Sequence, residues 1–443
     1  MSNVTDSPAK LSLMSVVLMN INVTLGSGIF INTVLLSSRA GALSGLTYVI
    51  VGFLLLPLIF MFGSLLRYYP SGGFYVFAQQ GIAPIAGFIS AWSYFVGKLA
   101  SASLAIHVAI LLLQTIFSPL AHISTLVLDM VVIFMYTLLN MFNIKQGSRI
   151  QAGFIVLKMF PIFFIIIGGA IFFNPHYFGT ADLLFTGLPS TIPLALFTFY
   201  GFEAACSISM HIANSQKNAA RAVVISHLIA VCITFLFQTF FYASLGSVLA
   251  IQPSYLSAYP AFILKFFSVH PHTAKFFIIL LHAAVASSAL GASYGIMYGN
   301  AWNLYTLAKN NHTFFSRSLS ALSKNHIAIG CVMAEAFICV LYLVVSRGQQ
   351  LILQQLSVFS LTTTFMLSAI SFLLIARRTN QFLLMPLTAV GVCFVLLGMC
   401  VRNFFTFGFM PLMIFGGICT VGLAMYFITR QKSEDSLSNF DRY

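Results

Sequence analysis

Long apolar runs constrain this chain more than any other feature. Twelve runs of mostly apolar residues follow one another, with only short polar spacers between them. A helix needs about 20 apolar residues to cross about 30 Å of hydrocarbon, so each run is long enough to span a bilayer. The pattern therefore predicts an all-α membrane protein with about twelve transmembrane helices. The runs occupy 11–36, 42–66, 82–117, 123–143, 152–173, 190–211, 221–249, 273–308, 327–346, 351–376, 381–400 and 404–429.

The polar composition excludes a water-soluble globule. Of the 443 residues, 59% are hydrophobic and only 7% are charged, whereas soluble domains carry about 25% charged residues. The formal net charge of +13 would suit a nucleic-acid-binding protein, but the basic residues lie in short spacers between the apolar runs. The chain is therefore predicted to lie in a lipid bilayer, and no nucleic-acid partner is expected.

The distribution of basic residues predicts the orientation. With the N-terminus in the cytoplasm, 14 of the 21 lysines and arginines fall in cytoplasmic segments and five in outer segments. This bias follows the positive-inside rule. It predicts that residues 1–10 and the tail 430–443 are cytoplasmic. Short loops without large extramembrane domains favour a bacterial plasma (inner) membrane.

The first span contains a weak point at mid-membrane depth, where Gly26-Ser27-Gly28 interrupts an apolar run. Glycine lowers helix stability by about 1 kcal/mol relative to alanine. An unwound stretch exposes backbone amides, which need partners in hydrocarbon. A solute carboxylate is a suitable partner because it also faces the positive end of a half-helix. Close packing of small residues against a neighbouring helix is the alternative interpretation.

The sixth span carries a similar feature, because Gly201 lies beside the acidic Glu203 in the middle of an apolar run. The first and sixth spans are the first members of two five-span halves, 11–173 and 190–376, followed by two additional spans in 381–429. Interrupted helices in corresponding positions of two halves indicate a midplane binding site in transporters with inverted repeats. The pair of interruptions therefore favours a solute site over simple packing.

Three motifs resemble those of the amino acid–polyamine–organocation superfamily, and in particular its bacterial amino-acid permeases and antiporters. Gly26-Ser27-Gly28-Ile29-Phe30 resembles the first-span signature. The stretch from Tyr69 to Tyr75 resembles the loop after span 2, and Gly201-Phe202-Glu203 resembles the sixth span. The resemblance covers most of the chain in order. It implies a LeuT-like 5+5 inverted repeat plus two C-terminal helices, and secondary active transport of amino acids or related small zwitterions.

The resemblance also implies roles at matching positions. Ser27 and Gly28, with Gly26 and Ile29 beside them, would offer donors to a substrate carboxylate. Carbonyl groups near the two interruptions would face its amino group, and Phe197 would stand where antiporters of this family have a gating aromatic. These carbonyls belong to Thr24, Phe197 and Tyr200, with Gly201 at the interruption itself.

Two ionisable residues inside spans are predicted to couple transport to protons. An ionisable residue in a span costs about 2.5–3.5 kcal/mol on insertion scales and persists where it has a partner, water or a task. Glu203 lies beside the second interruption, and burial favours the neutral form of a carboxyl. Lys158 lies in span 5, where some members of the family also carry a lysine in place of a bound sodium ion. A structural carboxyl and a snorkelling lysine are the alternatives.

Lys98, in span 3, is predicted to lie near the substrate side chain. An ammonium about 4 Å from a guanidinium is repelled by about 4 kcal/mol at an effective dielectric constant near 20. This favours a neutral or acidic amino acid over arginine. A salt bridge within the helix bundle is the alternative interpretation of Lys98.

The other ionisable residues in the spans are expected to have structural roles and no role in transport. Glu335 and Asp129 are expected in packing or interface roles, and the seven cysteines are expected to be small core residues. His107, His227 and His282 lie on different spans without metal-ligand spacing and are expected to be satisfied core histidines. No catalytic residue, metal site or cofactor is predicted.

Other functions are less well supported by the sequence. An amine or polyamine exchanger is the nearest alternative. An intramembrane enzyme would need clustered acids or histidines, a channel would need a filter loop or rings of charge, and an ATP-driven pump would need a GxxxxGK[ST] loop. The prediction is a non-enzymatic carrier driven by protons or exchange, acting as a monomer or homodimer.

Overall fold

The computed structural model describes residues 10–70, 72–142, 144–268 and 270–440. Residues 1–9 of the predicted N-terminal segment, Ser71 of the loop motif and residues 441–443 of the predicted tail lie outside the described residues. The described part contains α-helices, short 3-10 helices and two isolated β-bridges, but no strand.

The helices alternate with short connections along the described chain. The α-helices are α1 (Leu13–Thr24), α2 (Gly28–Ile31), α3 (Thr33–Ala40), α4 (Ser44–Tyr68), α5 (Phe74–Gly81), α6 (Pro84–Ile116), α7 (Ser118–Ala121), α8 (Thr125–Leu139), α9 (Ile144–Ile171), α10 (Leu188–Phe199), α11 (Ala204–Ser207), α12 (Ser215–Leu245), α13 (Ser247–Ala250), α14 (Tyr255–Phe267), α15 (Pro271–Lys309), α16 (Ser316–Leu319), α17 (Ile329–Ser346), α18 (Gln350–Arg378), α19 (Leu384–Phe407) and α20 (Met410–Phe440).

Every predicted span corresponds to helical structure. Ten segments of the described chain are long and apolar enough to cross a membrane. The other two predicted spans are the shorter apolar helix α8 and the interrupted pair α10 and α11. The predicted all-α membrane fold is confirmed, and the protein is a multi-pass membrane protein. The division into repeats at 11–173 and 190–376 stays a prediction.

The broken first span lies at the centre of the bundle and the last helices lie at its edge. In the apolar window of Leu13–Ile31, 83% of the residues are buried, compared with 22% in Met410–Arg430. Around this centre, α6 packs along α15 and α18, and α4 packs along α12. Prolines at the first positions of α6 and α15 start these two long helices where the missing N–H is tolerated.

Candidate functional site

The first span is unwound at the predicted position. Helix α1 ends at Thr24 and α2 begins at Gly28. The amide of Leu25 still donates to the carbonyl of Ile21 at 2.8 Å, and the next backbone amide with a backbone acceptor is that of Phe30. Among the described backbone bonds, therefore, the amides from Gly26 to Ile29 have no acceptor, which leaves four donors at one place in the membrane.

The sixth span is unwound in the same way and lies against the first. Helix α10 ends at Phe199 and α11 begins at Ala204. A Cβ atom on Gly201 would lie 2.5 Å from the backbone nitrogen of Thr24, and a Cβ atom on Gly28 would lie 2.9 Å from the Cα of Thr198. The two backbones are too close for larger side chains at these two positions.

Asparagine side chains tie the two broken spans together on both sides of the breaks. Asn20 donates to the carbonyl of Phe202 at 2.9 Å, and Asn32 donates to the carbonyl of Leu194 at 3.0 Å. These two asparagines were not predicted as site residues. The available signal was a set of buried asparagines close to the glycines in one apolar run, which is costly unless each amide is bonded.

A small cavity lies between the breaks and brings most of the predicted binding residues together. Two predicted residues do not line the cavity. Ile29 is fully buried next to it, and Gly201 packs against Thr24, which is part of the cavity wall. The rest of the wall comes from α6 and α15. The lining residues are Val23, Thr24, Gly26, Ser27, Gly28, Ser101, Ala105, Phe197, Tyr200, Ala292 and Ile296.

Lys98 lies beside this cavity and pairs with Glu203. The Lys98 Nζ is 2.7 Å from Glu203 Oε1 and donates to the Tyr200 carbonyl at 3.0 Å, with both charged side chains buried. Tyr94 also donates to the same carboxylate oxygen at 3.1 Å, whereas Glu203 Oε2 has no hydrogen-bond partner. Lys98 therefore forms a salt bridge within the bundle, which was the alternative interpretation. Its ammonium is also the hydrogen-bond partner of the Tyr200 carbonyl.

A second small cavity adjoins the first on the Lys98 side. Val23 and Ile296 line both cavities. Tyr94, Lys98, Ser207 and Asn300 give the second one a polar wall. Of the predicted binding residues, only Lys98 contacts this space.

Lys158 reaches the first break from span 5. Its buried Nζ donates to the carbonyl of Asn22. In an unbroken helix this carbonyl would accept the amide of Gly26, so the break frees it and the lysine satisfies it. Asn22 also donates to the carbonyl of Gly291 on α15 at 2.8 Å. Lys158 therefore lies where spans 1, 5 and 8 meet.

The remaining ionisable groups have varied surroundings. His107 Nδ1 lies 2.7 Å from Asp129 Oδ2, which agrees with a structural role for that pair. His227 bonds the carbonyl of Gly52 at 3.0 Å, and His282 bonds backbone carbonyls through both ring nitrogens. Among the described residues no group of three metal-ligating side chains is present.

The expectation that all the cysteines are core residues is wrong for Cys232, which is exposed on α12. A thiol is small and weakly polar, so the bilayer-facing side of a span tolerates it as well as the core does. In an apolar run the two faces look alike in sequence, and this ambiguity explains the error.

Two broken helices that face each other over a buried cavity, inside a bundle of membrane-crossing helices, define a membrane transporter. The profile described as amino acid permease matches residues 11–435, nearly the whole chain. The chain belongs to the amino acid permease family. The predicted family, and the prediction of an amino-acid transporter rather than an enzyme, are confirmed.

Curated relatives are distant but agree in class. The chain is 25% identical to the arginine/ornithine antiporter of Latilactobacillus sakei over 239 residues, which cover 50% of each chain, so it spans about half the length of that relative. It is 22% identical over 340 residues to the aromatic amino acid transport protein AroP of Escherichia coli (strain K12) and of Shigella flexneri, covering 73% of this chain and 71% of theirs.

Proposed function

We propose that the chain carries a neutral amino acid through the cavity between the two breaks. The observation on which this depends is the run of four amides without backbone acceptors, Gly26 to Ile29, beside a buried cavity. Backbone N–H groups at the start of a half-helix bind anions well. In this arrangement they hold the α-carboxylate that all amino acids share.

The cavity wall supports a neutral side chain on the substrate. None of the described residues that line it is acidic or basic, and Ser101, Ala105, Ala292 and Ile296 form a small, mostly apolar surface. The repulsion expected between Lys98 and a guanidinium loses its basis, because Glu203 neutralises that ammonium. The preference for a neutral substrate instead rests on the absence of a carboxylate that would pair with a cationic side chain.

Proton coupling is proposed through Glu203 and Lys158. The Glu203 carboxylate holds Lys98, and its Oε2 oxygen has no hydrogen-bond partner. Protonating it would release the ammonium and the attached carbonyl of Tyr200. Lys158 holds the other break through Asn22, so deprotonation there would remove the charge that strengthens this bond and loosen the first break. Each group thus couples a proton to the backbone that lines the cavity.

A competition assay tests the substrate class. Reconstituted protein in proteoliposomes takes up a labelled neutral amino acid, and unlabelled compounds compete. We expect neutral amino acids to compete strongly and the corresponding amines, which lack the carboxylate, to compete at least about tenfold less, a difference of about 1.4 kcal/mol. Equal competition by amines or polyamines would contradict the carboxylate site and establish the amine exchanger instead. Strong competition by arginine would contradict the neutral preference.

The coupling mode needs a separate measurement on the same vesicles. Accumulation driven by an imposed pH gradient indicates proton coupling, and stimulation by internal amino acid without a gradient indicates exchange. The relatives include an antiporter, so both are measured. Glu203→Gln should flatten the pH dependence of uptake. Unchanged pH dependence in both Glu203→Gln and Lys158→Ala would exclude coupling through these groups.

The proposed location is the bacterial inner membrane with both termini in the cytoplasm, in a monomer or homodimer. The excess of lysine and arginine in the segments assigned to the cytoplasm supports this orientation. Protease digestion of a C-terminal epitope tests it. The epitope should resist digestion in right-side-out vesicles and be cut in inverted ones, and the reverse result would contradict the orientation.

A further inference from the structure

Glu335, on span 9, is a buried acid without a use in the transport site. It lies in the first half of α17, is fully buried, and neither carboxylate oxygen has a hydrogen-bond partner. The two ion pairs of the described residues, Lys98 with Glu203 and His107 with Asp129, do not include it. An unpaired carboxylate in such a place is costly, so a purely structural acid here would gain nothing over a neutral side chain.

A polar chain connects Glu335 with the ion pair at the second break. Asn300 on α15 lies near the Glu335 carboxyl, and its amide nitrogen donates to the carbonyl of Phe95 at 3.0 Å. Asn303 donates to Asn300 Oδ1 at 3.1 Å and to Ser207 Oγ at 3.0 Å. Ser207 lies beside the phenol of Tyr94, which donates to Glu203 at 3.1 Å. Polar side chains thus follow one another from span 9 to span 6, with hydrogen bonds between Asn300, Asn303 and Ser207 and between Tyr94 and Glu203.

The second cavity lies along this chain. Tyr94, Lys98, Ser207 and Asn300 line this small space. It has room for about one water molecule, and its wall offers that water polar partners. Amide side chains hold such water in place, and the water carries protons between acids that do not touch.

We infer that Glu335 is a second proton-binding group of this carrier and exchanges a proton with Glu203 through the second cavity. The proton leaves one carboxyl, which becomes a carboxylate, and arrives on the other carboxylate, which becomes neutral. When it arrives on Glu203, it removes the charge that holds Lys98. The inference rests on the proposed proton coupling and extends it from one acid to two.

The groups around Glu335 leave it free to titrate by itself. The thiols of Cys331 and Cys339 lie one helical turn to either side, and Asn300 is the polar group that faces it from α15. Charged and titratable side chains on the neighbouring helices bond elsewhere or lie at helix ends. They are Tyr94, Lys98 and His107 on α6, Asp129 and Tyr136 on α8, His282 and Lys309 on α15, Arg317 on α16, and Arg377 and Arg378 on α18. Tyr294 and Tyr298 are the further titratable groups within α15, and the Tyr294 hydroxyl has no hydrogen-bond partner.

Infrared difference spectroscopy of the full-length protein in lipid tests the assignment directly. A protonated carboxyl has its own carbonyl-stretch band, and titration of pH makes that band appear and disappear. We expect Glu335→Gln to remove one such band and Asp129→Asn, the matched buried acid paired with His107, to leave it in place. An unchanged carboxyl spectrum in Glu335→Gln would overturn the inference.

Transport gives the second readout. In Glu335→Gln we expect accumulation driven by a pH gradient to fall at least about tenfold, while exchange without a gradient stays within about twofold. Asn303→Ala interrupts the polar chain but keeps the acid, and it serves as the test if Glu335→Gln does not fold. It should likewise reduce gradient-driven accumulation and leave exchange unchanged. If gradient-driven accumulation stays unchanged in these variants, the inference is wrong. If the wild type itself ignores the gradient, the proposed coupling is wrong, and the infrared band still decides whether Glu335 binds a proton.

Discussion

The two helix breaks face each other across one cavity but satisfy their free backbone in different ways. The first break, at Gly26 to Ser27, offers unpaired amides to the cavity, and its freed carbonyl at Asn22 is held by Lys158. The second break, at Tyr200 to Glu203, has its carbonyl held by Lys98, which also pairs with Glu203. One break therefore presents donors to a solute, and the other carries a balanced ion pair.

This difference matters because removing a charge has a different cost at each break. The ammonium of Lys158 has a carbonyl partner and, among the described residues, no ion pair, so replacing it strands no opposite charge. The ammonium of Lys98 lies 2.7 Å from a fully buried carboxylate, so replacing Lys98 leaves that carboxylate buried without its opposite charge. The comparison predicts that the two lysines, equally buried, differ in what their removal does to stability and to transport.

The largest effect is expected where the two breaks touch. In Gly201→Val the new Cβ would lie 2.5 Å from the nitrogen of Thr24, and one backbone must move. Overpacking of this kind costs about 1–3 kcal/mol, and here it also displaces the cavity wall. We expect uptake to be lost and the melting temperature in detergent to fall. Gly398→Val is the control, because nothing lies within 4 Å of a Cβ on Gly398. Normal uptake by Gly201→Val would mean that the breaks do not need close contact.

At the ion pair the expected effect on uptake is slightly smaller than at Gly201, although the expected loss of stability is larger. Lys98→Met leaves Glu203 buried without its counter-charge, and breaking a buried pair by removing one partner costs about 3–5 kcal/mol. We expect a lower melting temperature and poor uptake. The double variant Lys98→Met/Glu203→Gln removes both charges and should recover most of the stability but not the pH dependence of uptake. Equal stability of the single and double variants would contradict a strong pairing.

Lys158→Met tests the other side of the comparison. It leaves the carbonyl of Asn22 without its partner, which costs about 1–3 kcal/mol, but it also removes a buried charge. We therefore expect a smaller loss of melting temperature than in Lys98→Met, together with a flatter pH dependence of uptake. A larger loss than in Lys98→Met would reverse the assignment of the two breaks. Lys265→Met is a control at an exposed lysine near the end of α14.

The sequence was sufficient to locate both breaks because glycine in an apolar run is a local signal. Gly26, Gly28 and Gly201 each lie where the helix is interrupted or where two backbones meet. The apolar runs likewise predicted the spans, because length and hydropathy alone decide whether a helix can cross hydrocarbon.

Partnerships between distant residues could not be predicted in the same way. Lys98 and Glu203 lie on different helices, and nothing in the sequence states that they meet. The same holds for Asn20 with Phe202 and for Asn300 beside Glu335. Pairing depends on how helices pack, and apolar surfaces that face lipid or protein have the same composition. The site was therefore predicted as a set of residues and not as a network.

The smallest effect lies away from both breaks and separates the pH dependence of folding from that of transport. His312 follows α15, and its Nε2 lies 2.8 Å from the hydroxyl of Tyr75. Burial lowers the pKa of His312, so the folded protein holds it neutral. Below about pH 6.5 the unfolded chain binds a proton there that the folded protein does not, so stability falls as the pH falls.

His312→Gln should remove part of this acid sensitivity. Between about pH 7.5 and about pH 5.5 we expect the melting temperature of the variant to fall by a few degrees less than that of the wild type. The pH dependence of uptake should stay as in the wild type, because the proposed coupling groups, Glu203 and Lys158, lie at the breaks. A variant with altered pH dependence of uptake and unaltered melting would place a coupling group in the loop after α15 instead, and the distinction between the two breaks would then no longer account for proton coupling.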